Sequence, residues 1–172
     1  MRLFTAILFT PEIKKVLTDH IAALKIASRS GNFTLENNLH LTINFIGETD
    51  RVEDVKKAMS AIRFQPFTIT LGKSGVFRRS GGDIYWLGIA QNPQLDSLHK
   101  NLFEALRAKG FTLENRDYKP HITLGREVVL NKTPAFSEKP LQMTVSRVSL
   151  MKSERIGGKL VYTEIFYKNA EM

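Results

Sequence analysis

The chain has no cysteine. This removes disulfides, thiolate zinc sites and cysteine nucleophiles, and it agrees with a reducing cytoplasm. A long apolar run is also missing: Leu3 to Phe9 is too short to span a membrane, has no small-residue cleavage site, and leads straight into a charged helical pattern. A soluble, unexported, cytoplasmic protein without a membrane partner is expected. No Gly-x-Ser-x-Gly turn is present, which disfavours a serine triad. His-x-His, His-Glu-x-x-His and acidic clusters are absent as well, so no metal and no cofactor is expected. Acidic residues are outnumbered, 17 against 25 basic ones, giving a net charge of +8 and a pI near 9.8. That balance favours a polyanionic partner, nucleic acid or a phosphorylated ligand. The basic residues are scattered, which points to a phosphate-lined groove more than to a disordered tail.

What the chain does contain is a repeat. His40-Leu41-Thr42-Ile43 and His121-Ile122-Thr123-Leu124 carry the same His-x-Thr pattern 81 residues apart, whereas composition predicts roughly 0.3 chance matches. Phe33-Thr34-Leu35-Glu36-Asn37 precedes the first motif, and the same five letters recur at Phe111 to Asn115 before the second, with three extra residues in between.

The surrounding pattern repeats too. Arg2 to Phe9 reads as a strand, followed by a helix with Thr10 as N-cap, Pro11 in the first turn and an apolar stripe through Ile13, Val16, Leu17, Ile21 and Leu24. After a break at Gly31-Asn32 come strand Leu39 to Ile46, helix Asp50 to Phe64 opened by an Asp50/Glu53 capping box, and the long strand Phe67 to Phe77. The second half offers strand Asp83 to Ala90, a helix from Pro93 with Leu95, Leu98, Leu102 and Leu106 on one face, and one long strand Leu141 to Met151. Gly81-Gly82 and Gly157-Gly158 mark two hairpin turns. Val128 to Lys139 lacks a helical stripe, so the helix Asp50 to Phe64 has no counterpart. The expected architecture is α+β. A single unit over 1–172 is built from two intertwined repeats, approximately 1–80 and 81–172, in a bilobal fold with pseudo-two-fold symmetry. Helices lie outside and strands line a central cleft. A monomer is expected.

Strand alternation places His40, Thr42 and Asn44 on one face and Leu41, Ile43 and Phe45 on the other; His121 and Thr123 likewise face together. Two imidazoles with a reference pKa of about 6.5 can serve as base and acid in a phosphoryl displacement, with hydroxyls and a cation holding the non-bridging oxygens. His20 and His99 lie on the apolar stripes of their helices and are read as packing residues. Tyr85, Trp86 and Tyr162 lie on the hairpins and are read chiefly as packing between lobes, with base stacking as the other reading. Arg78, Arg79 and Arg116 are candidate backbone contacts.

Asn38-Leu39-His40-Leu41-Thr42-Ile43-Asn44-Phe45-Ile46-Gly47 and Lys119-Pro120-His121-Ile122-Thr123-Leu124-Gly125-Arg126 resemble the paired motifs of the two-histidine (2H) phosphoesterase superfamily. Within it, they are most similar to the prokaryotic RNA 2',3'-cyclic phosphodiesterases, also called 2'-5' RNA ligases. The resemblance covers nearly the whole chain. It implies opening of a terminal 2',3'-cyclic phosphate to a 2'-phosphomonoester without a metal, on RNA ends such as tRNA fragments or on nucleotides. Carried over by motif, His40 is the proton donor to the 3'-oxygen and His121 the acceptor that activates water. Thr42, Thr123 and Arg126 hold the phosphate. Simple alternation puts Arg126 on the face opposite His121, so a bulge or strong twist at Gly125 is required to bring it into the cleft. Joining of 2'-5' ends, hydrolysis of another cyclic or 2'-linked nucleotide, and a non-catalytic RNA-end or nucleotide-binding module are the alternatives.

Overall fold

The computed structural model describes residues 1–137 and 139–172. Strand β1 (Arg2–Leu8) runs into helix α1 (Pro11–Ala27), and Thr10 caps that helix by accepting from the Ile13 N–H, with Pro11 inside the first turn. A cap of this kind contributes ~1 kcal/mol. Strand β2 (Ser28–Phe33), a 3-10 turn (Glu36–Asn38) and β3 (His40–Glu48) follow. Helix α2 (Val52–Ala61) and β4 (Phe67–Phe77) close the first half; β5 (Asp83–Ile89), α3 (Pro93–Ala108), β6 (His121–Leu130), β7 (Leu141–Val145), β8 (Arg147–Ile156) and β9 (Lys159–Asn169) form the second. The β8–β9 turn is the two-residue loop Gly157-Gly158, whose φ values of 58° and 77° are those of a primed hairpin turn.

Both sheets are antiparallel and both mix the two halves: β3-β1-β8-β9 in one and β2-β6-β5-β4-β7 in the other. Helix α3 packs behind β3 and helix α1 behind β2 and β6, so each motif strand is backed by the helix of the other half. One continuous core runs between sheets and helices, from Leu3, Leu17 and Leu41 through Leu87, Leu98, Leu124 and Leu150.

Four expectations change. The Gly31-Asn32 break is part of an edge strand, β2, which a polar, glycine-containing sequence conceals; it is held by pairing to β6. Helix α2 is shorter than Asp50 to Phe64, and its N-cap is Arg51, which makes no side-chain cap bond; Arg51 instead pairs with Asp54 at 2.8 Å and stacks on Phe111. The long strand Leu141 to Met151 breaks at Ser146, because β7 pairs with β4 in one sheet and β8 with β1 in the other. Past Leu130 the segment to Lys139 is irregular, without a helix among the described residues; Glu138 lies outside them.

The fourth correction concerns the motif strand. In the β1–β3 ladder Thr5 pairs with Asn44 and Ala6 with Thr42, so Ile43 is an extra residue and the strand bulges. Alternation fails there: Asn44 turns inward and is buried, while Phe45 is exposed beneath the Arg2 guanidinium.

Candidate active site

The second motif bulges at the matching position. Trp86 pairs with Thr123 and Tyr85 with Gly125, leaving Leu124 unpaired, and a second irregularity lies between Gly125 and Val128. Leu124 and Gly125 are consecutively buried, as Ile43 and Asn44 are, and Arg126 emerges on the exposed side. From there its charge acts on both His40 and His121. The face opposite His121 that alternation assigns to Arg126 is therefore wrong, and the bulge beside Gly125 is the reason. Glu127, the next residue, has φ 53°, uncommon for a side-chain-bearing residue, and its carboxylate accepts from the Asn32 amide.

A bulge leaves strand carbonyls without ladder partners, and buried carbonyls need donors. In β3 the Thr42 carbonyl accepts from the Tyr118 hydroxyl at 2.9 Å and the Ile43 carbonyl from His99 Nδ1 at 2.8 Å. In β6 the Thr123 carbonyl accepts from the Thr34 hydroxyl at 2.8 Å and the Leu124 carbonyl from the Thr34 N–H at 3.0 Å. Each bulge is thus held by donors from the other half of the chain. His99 also stacks on Tyr118, with centroids 4.2 Å apart and planes 5° apart. It is a packing histidine, as its stripe indicates, and a strand clamp that no sequence pattern announces. His20 has Nδ1 2.8 Å from the Val16 carbonyl and Nε2 3.1 Å from the Ser137 carbonyl, and it stacks on Phe136.

The two motif histidines are oriented alike. His40 Nδ1 lies 2.7 Å from the Asn38 carbonyl and His121 Nδ1 2.7 Å from the Lys119 carbonyl, two residues back in each case. A carbonyl only accepts, so Nδ1 carries the hydrogen in both rings and Nε2 is the atom that gains or loses a proton. His40 Nε2 meets Thr42 Oγ1 at 2.9 Å. Burial pushes both imidazoles below the ordinary histidine value; the carbonyl bonds partly oppose this, and Arg126 adds to it. His121 lowers His40 further, and Arg116 lowers His121.

Aromatic rings frame each imidazole. Phe4 and Tyr162 lie 4.8 and 5.1 Å from His40, Phe77 and Trp86 5.1 and 6.1 Å from His121. Tyr85, by contrast, is core. Of the hairpin and loop arginines, Arg78 is tied to Asp83 and Arg116 to Glu114, whereas Arg79 lies over Phe77. Among the described residues no three His, Cys, Asp or Glu side chains gather closely enough to hold a metal ion. Among the same residues no helix is long and apolar enough to cross a membrane.

The comparisons with known proteins agree with this arrangement. Residues 13–157 match the family model described as the 2'-5' RNA ligase superfamily. The RNA 2',3'-cyclic phosphodiesterase of Escherichia coli (strain K12) is 32% identical over 170 residues, covering 95% of this chain and 93% of that one. That of Archaeoglobus fulgidus is 30% identical over 142 residues, 80% of this chain and 78% of the other. The crystal structure of E. coli LigT complexed with 3'-AMP superposes with a TM-score of 0.84 at 30% identity, covering 99% of this chain and 98% of that chain. The paired motifs, the two curled sheets and these likenesses converge: the chain belongs to the 2'-5' RNA ligase superfamily, the two-histidine phosphoesterases.

Proposed function

We propose that this protein hydrolyses RNA 2',3'-cyclic phosphate ends to 2'-phosphomonoesters by acid/base catalysis that requires no metal. The observation that carries the reading is the matched pair of imidazoles, each fixed as the Nδ1–H tautomer so that Nε2 is the proton-transferring atom, with Arg126 acting on both. The names of the relatives in E. coli and A. fulgidus support the substrate class.

In the proposed reaction His121 Nε2 takes a proton from water as its oxygen bonds to phosphorus. The bond from phosphorus to the 3'-oxygen breaks, and the proton on His40 Nε2 passes to that oxygen. The Thr42 and Thr123 hydroxyls and the Arg126 guanidinium hold the non-bridging oxygens as charge shifts among them. Both histidines are pushed toward their neutral forms in the free protein, which suits His121 as base. His40 becomes the acid when the anionic phosphodiester enters and stabilises its imidazolium. Because each bulge is clamped from the opposite half, residues 1–80 and 81–172 act as one catalytic unit, and a monomer suffices. A basic surface suits a chain of phosphates, and the reaction belongs to the cytoplasm, where the absence of cysteine has no cost.

The test offers an oligonucleotide ending in a 2',3'-cyclic phosphate with chelator present. The expected product carries a 2'-phosphate. A 3'-phosphate product, or turnover only when metal is added, contradicts the proposal. The superfamily's name favours a second reading, the joining of 2'-5' RNA ends by reversal of the same displacement. Supplying a 5'-hydroxyl strand and looking for a 2'-5' linked product tests it.

A further inference from the structure

Resting on the phosphodiesterase reading, we propose that Asn38 is a positioning residue for the acid histidine, holding the β8–β9 hairpin closed over His40 and fixing which nitrogen of that ring carries its hydrogen. Asn38 ends the 3-10 turn that leads into β3, and it is buried. Each of its four polar atoms is engaged. Its N–H donates to the Leu35 carbonyl at 2.8 Å, and its own carbonyl accepts from His40 Nδ1–H at 2.7 Å. Its side-chain amide reaches β9, donating to the Leu160 carbonyl at 2.8 Å and accepting from the Tyr162 N–H at 3.3 Å. The amide thus takes the place of a neighbouring strand on the free edge of β9, which pairs with β8 alone.

The consequence for His40 comes through Tyr162. That ring lies edge-on to the imidazole, with 5.1 Å between centroids and 89° between planes, and edge-on to Phe4 at 5.0 Å. Among the described residues no side chain outside the β8–β9 hairpin other than Asn38 hydrogen-bonds β9, so one residue both seats Tyr162 against the imidazole and supplies the carbonyl that sets its tautomer. Leu39, between Asn38 and His40, is 1% exposed and transmits the hold without slack. The second motif has no such grip. Lys119 stands where Asn38 does and its carbonyl accepts from His121 in the same way, but its side chain is exposed. The two imidazoles therefore share a tautomer and differ in enclosure. The clasp suits a proton donor that must not trade its proton with solvent, while His121 stays open to the water that it activates.

Asn38→Ala removes both bonds to β9, whereas Asn38→Asp, almost the same size, keeps the acceptor for Tyr162 and loses the donor to Leu160. In each, kcat on adenosine 2',3'-cyclic phosphate is expected to fall roughly tenfold to a hundredfold with KM nearly unchanged. Nitrogen-15 NMR of the histidine rings separates positioning from mere support of the fold. In the unaltered protein His40 and His121 are both expected as Nδ1–H tautomers; in the variants His40 is expected to become a mixture while His121 keeps its own. Water entering beside the loosened hairpin relieves the burial that holds His40 low, so in Asn38→Ala its titration moves up toward the ordinary histidine value and that of His121 stays. Arg126, His121 and Tyr162, the titratable groups around His40, are left in place. A lower melting temperature with the His40 tautomer, its titration and kcat all unchanged overturns the proposal; should Asn38→Ala fail to fold, an unchanged tautomer and kcat in Asn38→Asp does so. Failure of the unaltered protein to open the cyclic phosphate overturns the phosphodiesterase reading, and the tautomer measurement still decides whether Asn38 fixes the ring.

Discussion

The Tyr118 hydroxyl donates to the Thr42 carbonyl at 2.9 Å, joining the loop that enters one motif strand to the bulge of the other. Burial pushes the Tyr118 phenol well above its ordinary pKa, so it stays a neutral donor across the working range. Thr34 performs the same service for Thr123 from the opposite side. By the pentapeptide repeat, Thr34 corresponds to Thr112, yet Thr112 is exposed; the clamp comes instead from Tyr118, which lies among the five residues, 116–120, that separate the second pentapeptide from its motif.

Tyr118→Phe leaves the Thr42 carbonyl without its donor and keeps the ring that stacks on His99. A loss of about 1–3 kcal/mol in stability is expected for an unsatisfied buried carbonyl. Turnover should drop more than KM rises, because Thr42 is displaced relative to His40. Calorimetry together with steady-state kinetics checks it; an equal change in every parameter contradicts the clamp.

Thr34→Val removes one of two donors from Thr34 while its N–H still reaches Leu124. A smaller stability loss of about 1 kcal/mol is expected, with the kinetic defect at the second motif. Combining it with Tyr118→Phe tests whether the two bulges act together: a deficit in kcat beyond the sum of the single effects is expected, and simple additivity argues that they are independent.

The pH dependence follows from burial. Both imidazoles sit below the ordinary histidine value in the free protein, so both limbs of the kcat/KM profile lie on the acid side of 6.5. Above that pH the acid form of the pair is lost and kcat/KM falls, roughly tenfold per pH unit. The base form is lost only as the pH falls through the lower, rising limb, where His121 takes up its proton. In the kcat profile the falling limb moves to higher pH, because the bound anion stabilises the imidazolium. Identical limbs in the two profiles contradict this reading.

Arg126→Gln is expected to act twice. Transition-state stabilisation falls by about 10²–10³ in kcat. Removing a cation that holds both histidines down also moves both limbs of the pH profile upward. Loss of rate with unmoved limbs places the guanidinium outside the cleft.

Gly82→Ala tests the strain around that arginine. Gly82 has φ 116°, and a Cβ there would lie 2.6 Å from the Glu127 carbonyl carbon. Destabilisation of about 1–3 kcal/mol is expected, with reduced turnover because β6 shifts at Arg126. A fully active variant of unchanged melting temperature contradicts the account.

Much of this molecule was legible in the sequence. Thr10-Pro11, Asn92-Pro93 and the leucine stripes specify their helices locally, and the borders of β4 match Phe67 to Phe77. The 81-residue spacing marks the two motif strands. What alternation misses is the bulge at Ile43 and Leu124, since an extra residue is defined by its partner strand and leaves no local signature. From that one omission follow the misassigned faces of Asn44, Phe45 and Arg126. The clamps by His99 and Tyr118 are long-range, and β2 owes its existence to β6 more than to its own polar residues. The split at Ser146 likewise reflects which sheet each neighbour can join.

The most direct measurement follows a cyclic-phosphate-ended oligonucleotide in the presence of chelator with the unaltered protein, His40→Ala and His121→Ala. The account predicts conversion by the unaltered protein and a loss of about 10²–10⁴ in rate for each variant, with folding preserved because both rings are only partly buried. Undiminished activity in either variant contradicts it.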